Sequence, residues 1–387
     1  MSLFRNLTYR ILFALGLTIS LVSCVEELEL ESENFESIVI IEGILTDEMK
    51  NQEILLSNSY ELDEQGPSAL SNAEVMVQSS EGETFNFSEV EPGVYLSDIE
   101  FGARPSVGYR LNVITSSNTF TSTEVVGEEP TSLDNIESLE AKVNGVDGVA
   151  IVATATNDAP NSYYKYEFEE TYKIQSPYEK FNDLIINEQG EFEVVPKQNE
   201  EFTCYNTLPS QSIIISSTSE LSSNSVNSNL INFLSSEDVK IAYRYSILVK
   251  QLKINADAHA FYTTLRNLSE SENIFSQYQP GFLNGNLESE GSSDTRVTGF
   301  FTTAATAEQR LFFNYTDYYD PIENPRPVIY GPCEEYVPTD EELREFLISG
   351  SVRFFLEENP GIYSVIIAQC VDCNFFGSNI KPNFWID

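Results

Sequence analysis

The sequence predicts a mainly β protein, and three observations support this fold class. Short apolar or alternating segments recur at intervals of about 8 to 12 residues from Ile38 onward, as in sandwiches and barrels. Turn pairs such as Gly66-Pro67 and Pro92-Gly93 separate these segments. Only two stretches combine helical apolar spacing with a capping residue. We therefore expect a β-sandwich or small barrel over residues 37–127 and a larger β-rich domain with two short helices over 132–387.

The first region contains a series of predicted strands joined by turns. The opening strand carries Gly43, which suggests a bulge or turn within it. Glu128–Ser132 has the composition of a linker to the second region. The predicted strands of the first region are Ile38–Leu45, Glu53–Leu56, Ala73–Val77, Thr84–Phe87, Val94–Leu96, Tyr109–Val113 and Thr119–Thr123.

The second region opens with two long apolar segments, Gly148–Thr156 and Tyr163–Tyr172. We interpret them as paired strands joined by a turn at Asn157–Pro160. In the second strand, aromatic residues alternate with charged ones, so they belong to one face and predict a core position rather than a ligand platform. Further strands are predicted at Ile213–Ile215, within a Ser/Asn-rich segment, and at Ile241–Lys250.

Both predicted helices have a recognisable start. Asn255 is suited to cap a helix that runs to about Asn267, with apolar residues spaced along one face. Thr339 and Glu342 have the spacing of a capping box, and Gly350 is suited to end that helix.

The amino terminus reads as a lipoprotein signal peptide over residues 1–23. Arg5 and Arg10 precede an apolar run that is shorter than the roughly 20 residues a membrane-spanning helix needs. The run ends in Leu21-Val22-Ser23-Cys24, which matches the bacterial lipobox. This predicts acylation of Cys24 and anchoring in outer-membrane lipid. An ordinary signal peptide with a coincidental cysteine is the alternative.

Residues 24–36 form a predicted acidic tether. Four glutamates lie within the seven residues that follow the lipidated cysteine, and such a segment is suited to remain solvated. The pattern resembles the acidic tag that directs Bacteroidota lipoproteins to the cell surface, although any tether is polar. These glutamates are Glu26, Glu27, Glu29 and Glu31.

The formal net charge of −40 argues against nucleic acid as a partner, because phosphate binding needs a basic face. Strong acidity is compatible with divalent cations or with a basic partner. Asp317, Asp320 and Glu323 are a weak calcium candidate, with a solvated loop as the alternative. No EF-hand spacing is present, and we predict neither a metal site nor a cofactor.

Four cysteines follow Cys24, and in an exported chain an even number suggests two disulfides. The sequence does not decide among the three pairings. The C-x-x-C that follows the strand-like Tyr363–Ala368 also admits a redox pair, and the four thiols together admit a zinc site. The disulfide candidates are Cys204, Cys333, Cys370 and Cys373.

No catalytic device stands out in the sequence, so we do not predict an enzyme. His259 is the one histidine, and neither a G-x-S-x-G nor an H-E-x-x-H motif accompanies it. Paired carboxylates, as in glycosidases, need only two suitably spaced acids, and the many acids of this chain leave that alternative open.

Several segments in order resemble one family. They are the lipobox with its tether, Val39–Asp47, Glu91–Tyr95, Tyr245–Gln251, the helix with Phe261-Tyr262, Phe275, Gly285-Asn286, Val297–Phe301, and Cys370–Cys373 through Lys381–Trp385. Together they resemble the Bacteroidota lipoprotein family catalogued as domain of unknown function 4249. Gly377-Ser378 departs from the double glycine that is usual there.

The resemblance implies an Ig-like or transthyretin-like sandwich at the amino terminus, and a TonB-dependent outer-membrane transporter as a frequent genomic neighbour. It implies no catalytic residues. We therefore expect a surface-exposed binding, lid or accessory subunit of such a transporter. A surface hydrolase and an outer-membrane assembly or structural accessory are the alternatives. Ligand-binding residues are unknown, and the aromatic loops Tyr278–Asp294 and Tyr315–Glu335 serve either binding or loop packing.

Overall fold

The structure is a computed structural model that describes residues 38–60, 66–155, 161–218, 227–269, 283, 285–290 and 296–387. The signal peptide, Cys24, the tether and the turn at 157–160 lie outside these residues. No helix of the described ranges has the length and apolar character needed to cross a membrane.

Strands dominate the described residues, which confirms the mainly β prediction. The strands of the first region are β1 (Val39–Thr46), β2 (Glu53–Asn58), β3 (Ser68–Ala69), β4 (Glu74–Ser79), β5 (Thr84–Glu91), β6 (Val94–Ser97), β7 (Gly108–Ile114), β8 (Thr119–Ser122) and β9 (Val125–Val126). The next are β10 (Asn135–Val143), β11 (Val146–Ala155), β12 (Tyr163–Gln175), β13 (Asn182–Ile186), β14 (Phe192–Pro196), β15 (Thr203–Pro209), β16 (Ile214–Ser217), β17 (Asn227–Ser235) and β18 (Arg244–Ile254). The last are β19 (Leu287–Glu290), β20 (Val297–Asn314), β21 (Val352–Asn359) and β22 (Ile362–Ile367).

The two predicted α-helices are present with the predicted caps. Helix α1 spans Ala256–Ser269, and the Asn255 side chain accepts a hydrogen bond from the Ala258 N–H at 2.8 Å. Helix α2 spans Asp340–Ser349, begins with the Thr339–Glu342 capping box and ends at Gly350 in a left-handed conformation. Short 3-10 turns lie at Val239–Ile241, Tyr315–Asp317, Ala368–Cys370 and Cys373–Phe375.

The first region folds as a β-sandwich-like unit around one apolar core. The hydrogen-bonded order runs β1-β2-β6-β5-β4-β7-β8. Alternate residues of these strands point into the core, which contains Ile41, Leu45, Val77, Leu111 and Phe120, each almost completely buried. Strand alternation read from the sequence therefore locates this core correctly.

Gly43 packs differently from the prediction of a bulge or turn. The β1–β2 register runs without a shift through Gly43, opposite Ile54. A Cβ at position 43 would lie 2.3 Å from the Ile54 Cδ1 atom. The glycine therefore makes room for a core side chain of the neighbouring strand, which is the close-approach role of glycine within a sheet.

The second region is also layered, and here the predicted pairing of β11 with β12 is wrong. Strand β11 pairs with β10 and β17 in a three-stranded sheet, whereas β12 pairs with β15, β16 and β18. The two sheets face each other, and Ile151 of β11 packs in one core with Tyr164 and Tyr166 of β12. Facing each other buries the apolar side of both strands, which a simple hairpin does not achieve.

The strand predicted at Ile241–Lys250 begins later, at Arg244. The Asp238 carboxylate accepts a hydrogen bond from the Lys240 N–H at 2.9 Å and closes a 3-10 turn at Val239–Ile241. The apolar Ile241 is nevertheless buried, so the apolar run read as strand covers both a turn and a strand.

Strand β20 joins the two regions into one continuous sheet. Its residues Val297–Ala304 pair in parallel with β1, and Ala305–Asn314 pair antiparallel with β18. Strand β19 in turn extends the amino-terminal sheet by pairing with β8. The sheet of the first region is thus completed by strands from the far side of the predicted linker, while the boundary itself stays a prediction.

Two disulfides stabilise the carboxyl-terminal part. Cys204 bonds to Cys373 and Cys333 bonds to Cys370, so the two cysteines of the C-x-x-C have different partners. The last residues lie on the sheet, where the Arg310 guanidinium stacks on the Phe384 ring and Trp385 packs edge-on against Phe312.

Candidate functional site

An open cavity of about 390 Å³ lies where the two sheet halves meet. We call it the junction groove. Its volume is within the range typical of ligand sites, and sites between structural units are common. Its lining residues come from β1, β2, β12, β18 and α1, and from the segments between β1 and β2 and between β15 and β16: Glu42, Gly43, Ile44, Thr46, Lys50, Glu53, Leu55, Lys165, Glu167, Ile213, Lys250, Leu252, Tyr262 and Leu265.

Strand alternation places these side chains on the outer face of the sheet. In β12, Tyr164 and Tyr166 point into the core between the two layers, so Lys165 and Glu167 point the other way into the groove. The same rule directs Ile41 into the amino-terminal core and its neighbour Glu42 into the groove. The groove is therefore built on strands that are held in register by both cores.

Ion pairs organise the lysines of the groove. The Lys250 ammonium lies 2.6 Å from a Glu48 carboxylate oxygen, and the Lys50 ammonium lies 3.1 Å from the same atom. Lys165 pairs with Glu167 two residues along β12. Burial alone would raise the pKa of Glu48, but hydrogen bonds from Lys250 and Lys50 outweigh that effect and lower it.

Helix α1 forms one wall of the groove through Tyr262 and Leu265. The Lys165 ammonium lies 5.3 Å from the centre of the Tyr262 ring. Burial raises the pKa of the Tyr262 hydroxyl, and the nearby carboxylates of Glu42 and Glu167 raise it further. The phenol therefore stays protonated and available as a donor at neutral pH.

A second cavity, also about 390 Å³, continues the junction groove along β12 and β18. The two share Lys165, Glu167, Ile213 and Lys250. The segment between β15 and β16 borders the second cavity with polar side chains, and Phe168, Pro209 and Leu248 supply its apolar surface.

His259 does not form a catalytic arrangement in the described residues. Its ring packs against Tyr163 with 5.0 Å between centroids, and no hydrogen bond of its side chain is present in those ranges. Burial lowers the pKa of His259, and the charge of Arg266 lowers it further. The imidazole is thus mostly neutral at pH 7 and packs as part of the helix face.

The acidic loop proposed as a weak calcium candidate forms turns. Asp317 accepts a hydrogen bond from the Asn314 N–H at 2.7 Å, and Asp320 accepts one from the Ile322 N–H at 2.9 Å. Across the described ranges, no group of three acidic, histidine or cysteine side chains has the arrangement of a metal site.

The aromatic residues of Tyr315–Glu335 serve packing. Tyr315 is buried, and Tyr318, Tyr319 and Tyr330 pack against the core between the two layers of the second region. The other aromatic loop, Tyr278–Asp294, lies largely outside the described residues.

A family model, Domain of unknown function (DUF4249), matches residues 25–310, about three quarters of the chain. The chain belongs to this family. The DUF4249 match begins in the tether and ends within β20, so it includes every strand that lines the junction groove. The disulfide-bonded Cys333, Cys370 and Cys373 lie beyond it.

A search of the curated proteins finds no match to this DUF4249 chain. Among solved structures, it is similar to a DUF4785 family protein from Legionella pneumophila, with 10% sequence identity and a TM-score of 0.19. That match covers 56% of this chain and 52% of the other, so it spans about half the length of each. A likeness at this TM-score carries no argument about fold or function.

Sequence reasoning missed the junction groove. Its side chains come from residues 42–55, 165–167, 213, 250–252 and 262–265, which are far apart along the chain. The strand alternation that buries Tyr164 and Tyr166 does indicate that Lys165 and Glu167 share the opposite face. No sequence signal, however, indicates that β20 brings β1 and β18 together.

Proposed function

We propose that this chain is a surface-exposed lipoprotein of the Bacteroidota outer membrane that acts as a non-enzymatic binding or lid subunit of a TonB-dependent transporter. The observation that carries the binding role is the junction groove, an open cavity on a continuous sheet with charged and apolar side chains side by side. The lipobox at Cys24 supports the anchor, and the family resemblance supports the partner.

The position of the tether fits this role. The tether ends just before β1, and Glu42 of the groove lies four residues after Ile38, a distance of about 13 Å along an extended strand. A tether of roughly 12 residues adds a reach of at most about 40 Å. A chain anchored in this way can hold the groove over a neighbouring barrel while the lipid remains in the membrane.

The anchor is tested by Cys24→Ala, with Ser23→Ala as the matched control because alanine preserves a small residue in the lipobox. We expect Cys24→Ala to abolish lipid labelling and to release the chain from the membrane fraction, whereas Ser23→Ala retains both. Protease added to intact cells should digest the wild-type chain. Survival of the chain in intact cells, with digestion after lysis, would contradict surface exposure.

The partner is tested by purifying the chain from native membranes in a mild detergent and identifying the proteins that accompany it. We expect a TonB-dependent transporter in stoichiometric amount, and impaired uptake of its ligand in a deletion strain. If no transporter accompanies the chain and deletion changes no uptake, the hydrolase or assembly alternatives replace this proposal.

A further inference from the structure

Some charged side chains of the junction groove form ion pairs and others do not. Lys50, Lys165 and Lys250 each lie within an ion pair. Glu42 and Glu53, by contrast, are exposed and have no ion-pair partner among the residues that the structure describes. The groove therefore has two carboxylates available for a cation that the protein itself does not supply.

These two carboxylates lie close enough to act together. In the β1–β2 register Glu42 is opposite Leu55, so Glu42 and Glu53 are diagonal neighbours on one face. Diagonal neighbours in an antiparallel pair are about 7–8 Å apart at their Cα atoms, within reach of two glutamate side chains that share one ammonium group. Charge-assisted hydrogen bonds of this kind are stronger than neutral ones.

The Tyr262 hydroxyl adds a donor to the same site. Tyr262 lines the groove together with Glu42 and Glu167, and burial and these two carboxylates raise the pKa of its hydroxyl. No hydrogen bond of this hydroxyl is present within the described ranges of the chain. It is suited to a carbonyl oxygen of a ligand.

Two lysine ammonium groups lie at the other end of the groove. Beyond the carboxyl end of β1, the ammonium groups of Lys50 and Lys250 share the single carboxylate of Glu48. Each ammonium group has three N–H donors, so both lysines retain donors for a ligand carboxylate. The lysine donors thus lie beyond the carboxyl end of β1, whereas the two unpaired carboxylates lie on β1 and β2.

Apolar side chains lie beside the charged groups of the groove. Ile44, Leu252 and Leu265 line the groove, and Leu55 has 39% of its surface exposed although it lies within a strand. Apolar surface next to charged groups fits a ligand that has both charged ends and apolar side chains. A purely anionic ligand would be repelled by the carboxylates of Glu42 and Glu53.

The junction groove has little aromatic surface, which argues against a carbohydrate ligand. The one tryptophan of the chain, Trp385, is buried against Tyr205 and Phe312, far along the sheet. Among the residues that line the junction groove, Tyr262 is the one aromatic side chain.

We infer that the junction groove binds a short peptide with free ends, its ammonium group between Glu42 and Glu53 and its carboxylate at Lys50 and Lys250. This inference rests on the proposed binding function and specifies its ligand class. An extended peptide rises about 3.4 Å per residue. Four residues span about 14 Å, and the lysine side chains extend the reach from beyond the end of β1.

The test uses the purified mature chain and calorimetric titration with alanyl-leucyl-leucyl-alanine in three forms: free ends, N-acetylated and C-amidated. Loss of one charge-assisted interaction should weaken binding about tenfold. We therefore expect acetylation and amidation each to weaken binding of the wild-type chain by about that factor.

Two variants test which residues bind each end of the peptide. Glu42→Gln combined with Glu53→Gln should weaken binding of the free peptide about tenfold. In this variant, acetylation of the peptide should change the affinity very little, as a double-mutant cycle requires. Lys250→Gln should likewise weaken binding of the free peptide and make its affinity insensitive to amidation, because Glu48 and Lys50 then neutralise each other. The matched control is Glu288→Gln with Glu290→Gln, which removes the same charge from exposed positions of β19.

Unchanged circular dichroism and denaturation midpoints establish that the variants fold. Absence of binding by all three peptide forms at about 1 mM overturns the inference. Equal affinity for the free and acetylated forms overturns it as well. Because this experiment needs no membrane partner, recovery of a transporter with the native chain would leave the proposed function standing while the peptide inference fails.

Discussion

The carboxylate of Asp47 accepts two hydrogen bonds from Thr306, one from its backbone N–H at 2.9 Å and one from its hydroxyl at 2.7 Å. These residues lie where β20 passes from its pairing with β1 to its pairing with β18. One side chain thus connects the end of the first strand of the amino-terminal sheet to the sheet of the second region, directly beside the junction groove.

Replacement of Asp47 should weaken this connection. Hydrogen bonds to a charged group contribute about 1.5–3 kcal/mol, so we expect Asp47→Ala to lower the free energy of unfolding by roughly that amount. Asp98→Ala is the control, since Asp98 accepts a bond from Ser88 on the exposed surface. That change should stay within about 0.5 kcal/mol. Urea denaturation measures both, and equal effects would contradict a special role for Asp47.

Gly299 allows β1 and β20 to approach each other. Its φ is +112°, and a Cβ there would lie 1.9 Å from the Ile41 carbonyl oxygen. We expect Gly299→Ala to destabilise the chain by more than about 4 kcal/mol or to prevent folding. Gly190 also has a positive φ, +81°, but has no atom within 4 Å of such a Cβ.

Gly190→Ala should therefore show the conformational cost alone, about 1–2 kcal/mol. Thermal or urea unfolding of the two variants separates clash from backbone strain. Similar losses in both variants would show that the close approach at Gly299 is not what constrains this position.

The strands were predictable from the sequence because their alternation is local. Phe85 and Phe87 alternate with the polar Thr84 and Asn86, and the structure buries both phenylalanines. The caps of α1 and α2 were predictable for the same reason, since Asn255 and Thr339 bond to backbone groups three residues away.

The arrangement of the sheets was not predictable in this way. One of the two partners of β1 is β20, more than 250 residues later in the chain, and no local pattern specifies this pairing. Strand β17 was also missed, because its amino end continues a Ser/Asn-rich segment that reads as a loop. The groove depends on these long-range pairings, so Lys165 and Lys250 could be placed on strands but not brought to one site.

The two disulfides should differ in how readily they are reduced. Cys204 and Cys373 are fully buried, whereas Cys333 is partly exposed. A reductant in low excess should therefore open the Cys333–Cys370 bond first, and mass spectrometry after alkylation should find label on those two cysteines. Simultaneous labelling of all four would contradict this order.

The buried disulfide should also contribute more to stability. Its cysteines are 169 residues apart, and those of the other bond are 37 apart. Loop-closure entropy then predicts about 5 kcal/mol for Cys204–Cys373 and about 4 kcal/mol for Cys333–Cys370. Urea unfolding of the paired serine variants measures each loss. A larger loss from removing Cys333–Cys370 would mean that native-state contacts, and not loop length, set the contribution.

Glu89 should make the stability of the amino-terminal sheet depend on pH in the acidic range. Its carboxylate accepts hydrogen bonds from the Asn72 N–H at 2.9 Å and the Gly93 N–H at 3.0 Å. The bond from Asn72, with others from Ser71 and Gly93, lowers the pKa of Glu89 to about 2. An unfolded glutamate has a pKa of about 4.3. Because the folded state holds the proton less tightly, this contribution is complete above pH 4.3 and is lost as pH falls toward about 2.

Nuclear magnetic resonance titration of the Glu89 carboxyl carbon measures the folded pKa directly. The stability difference between wild type and Glu89→Gln, which cannot ionise, should then be largest above about pH 5 and shrink toward about pH 2. A difference that stays constant over this range, or a folded pKa near the unfolded value, would show that the turns at Asn72 and Gly93 do not depend on the charge of this carboxylate.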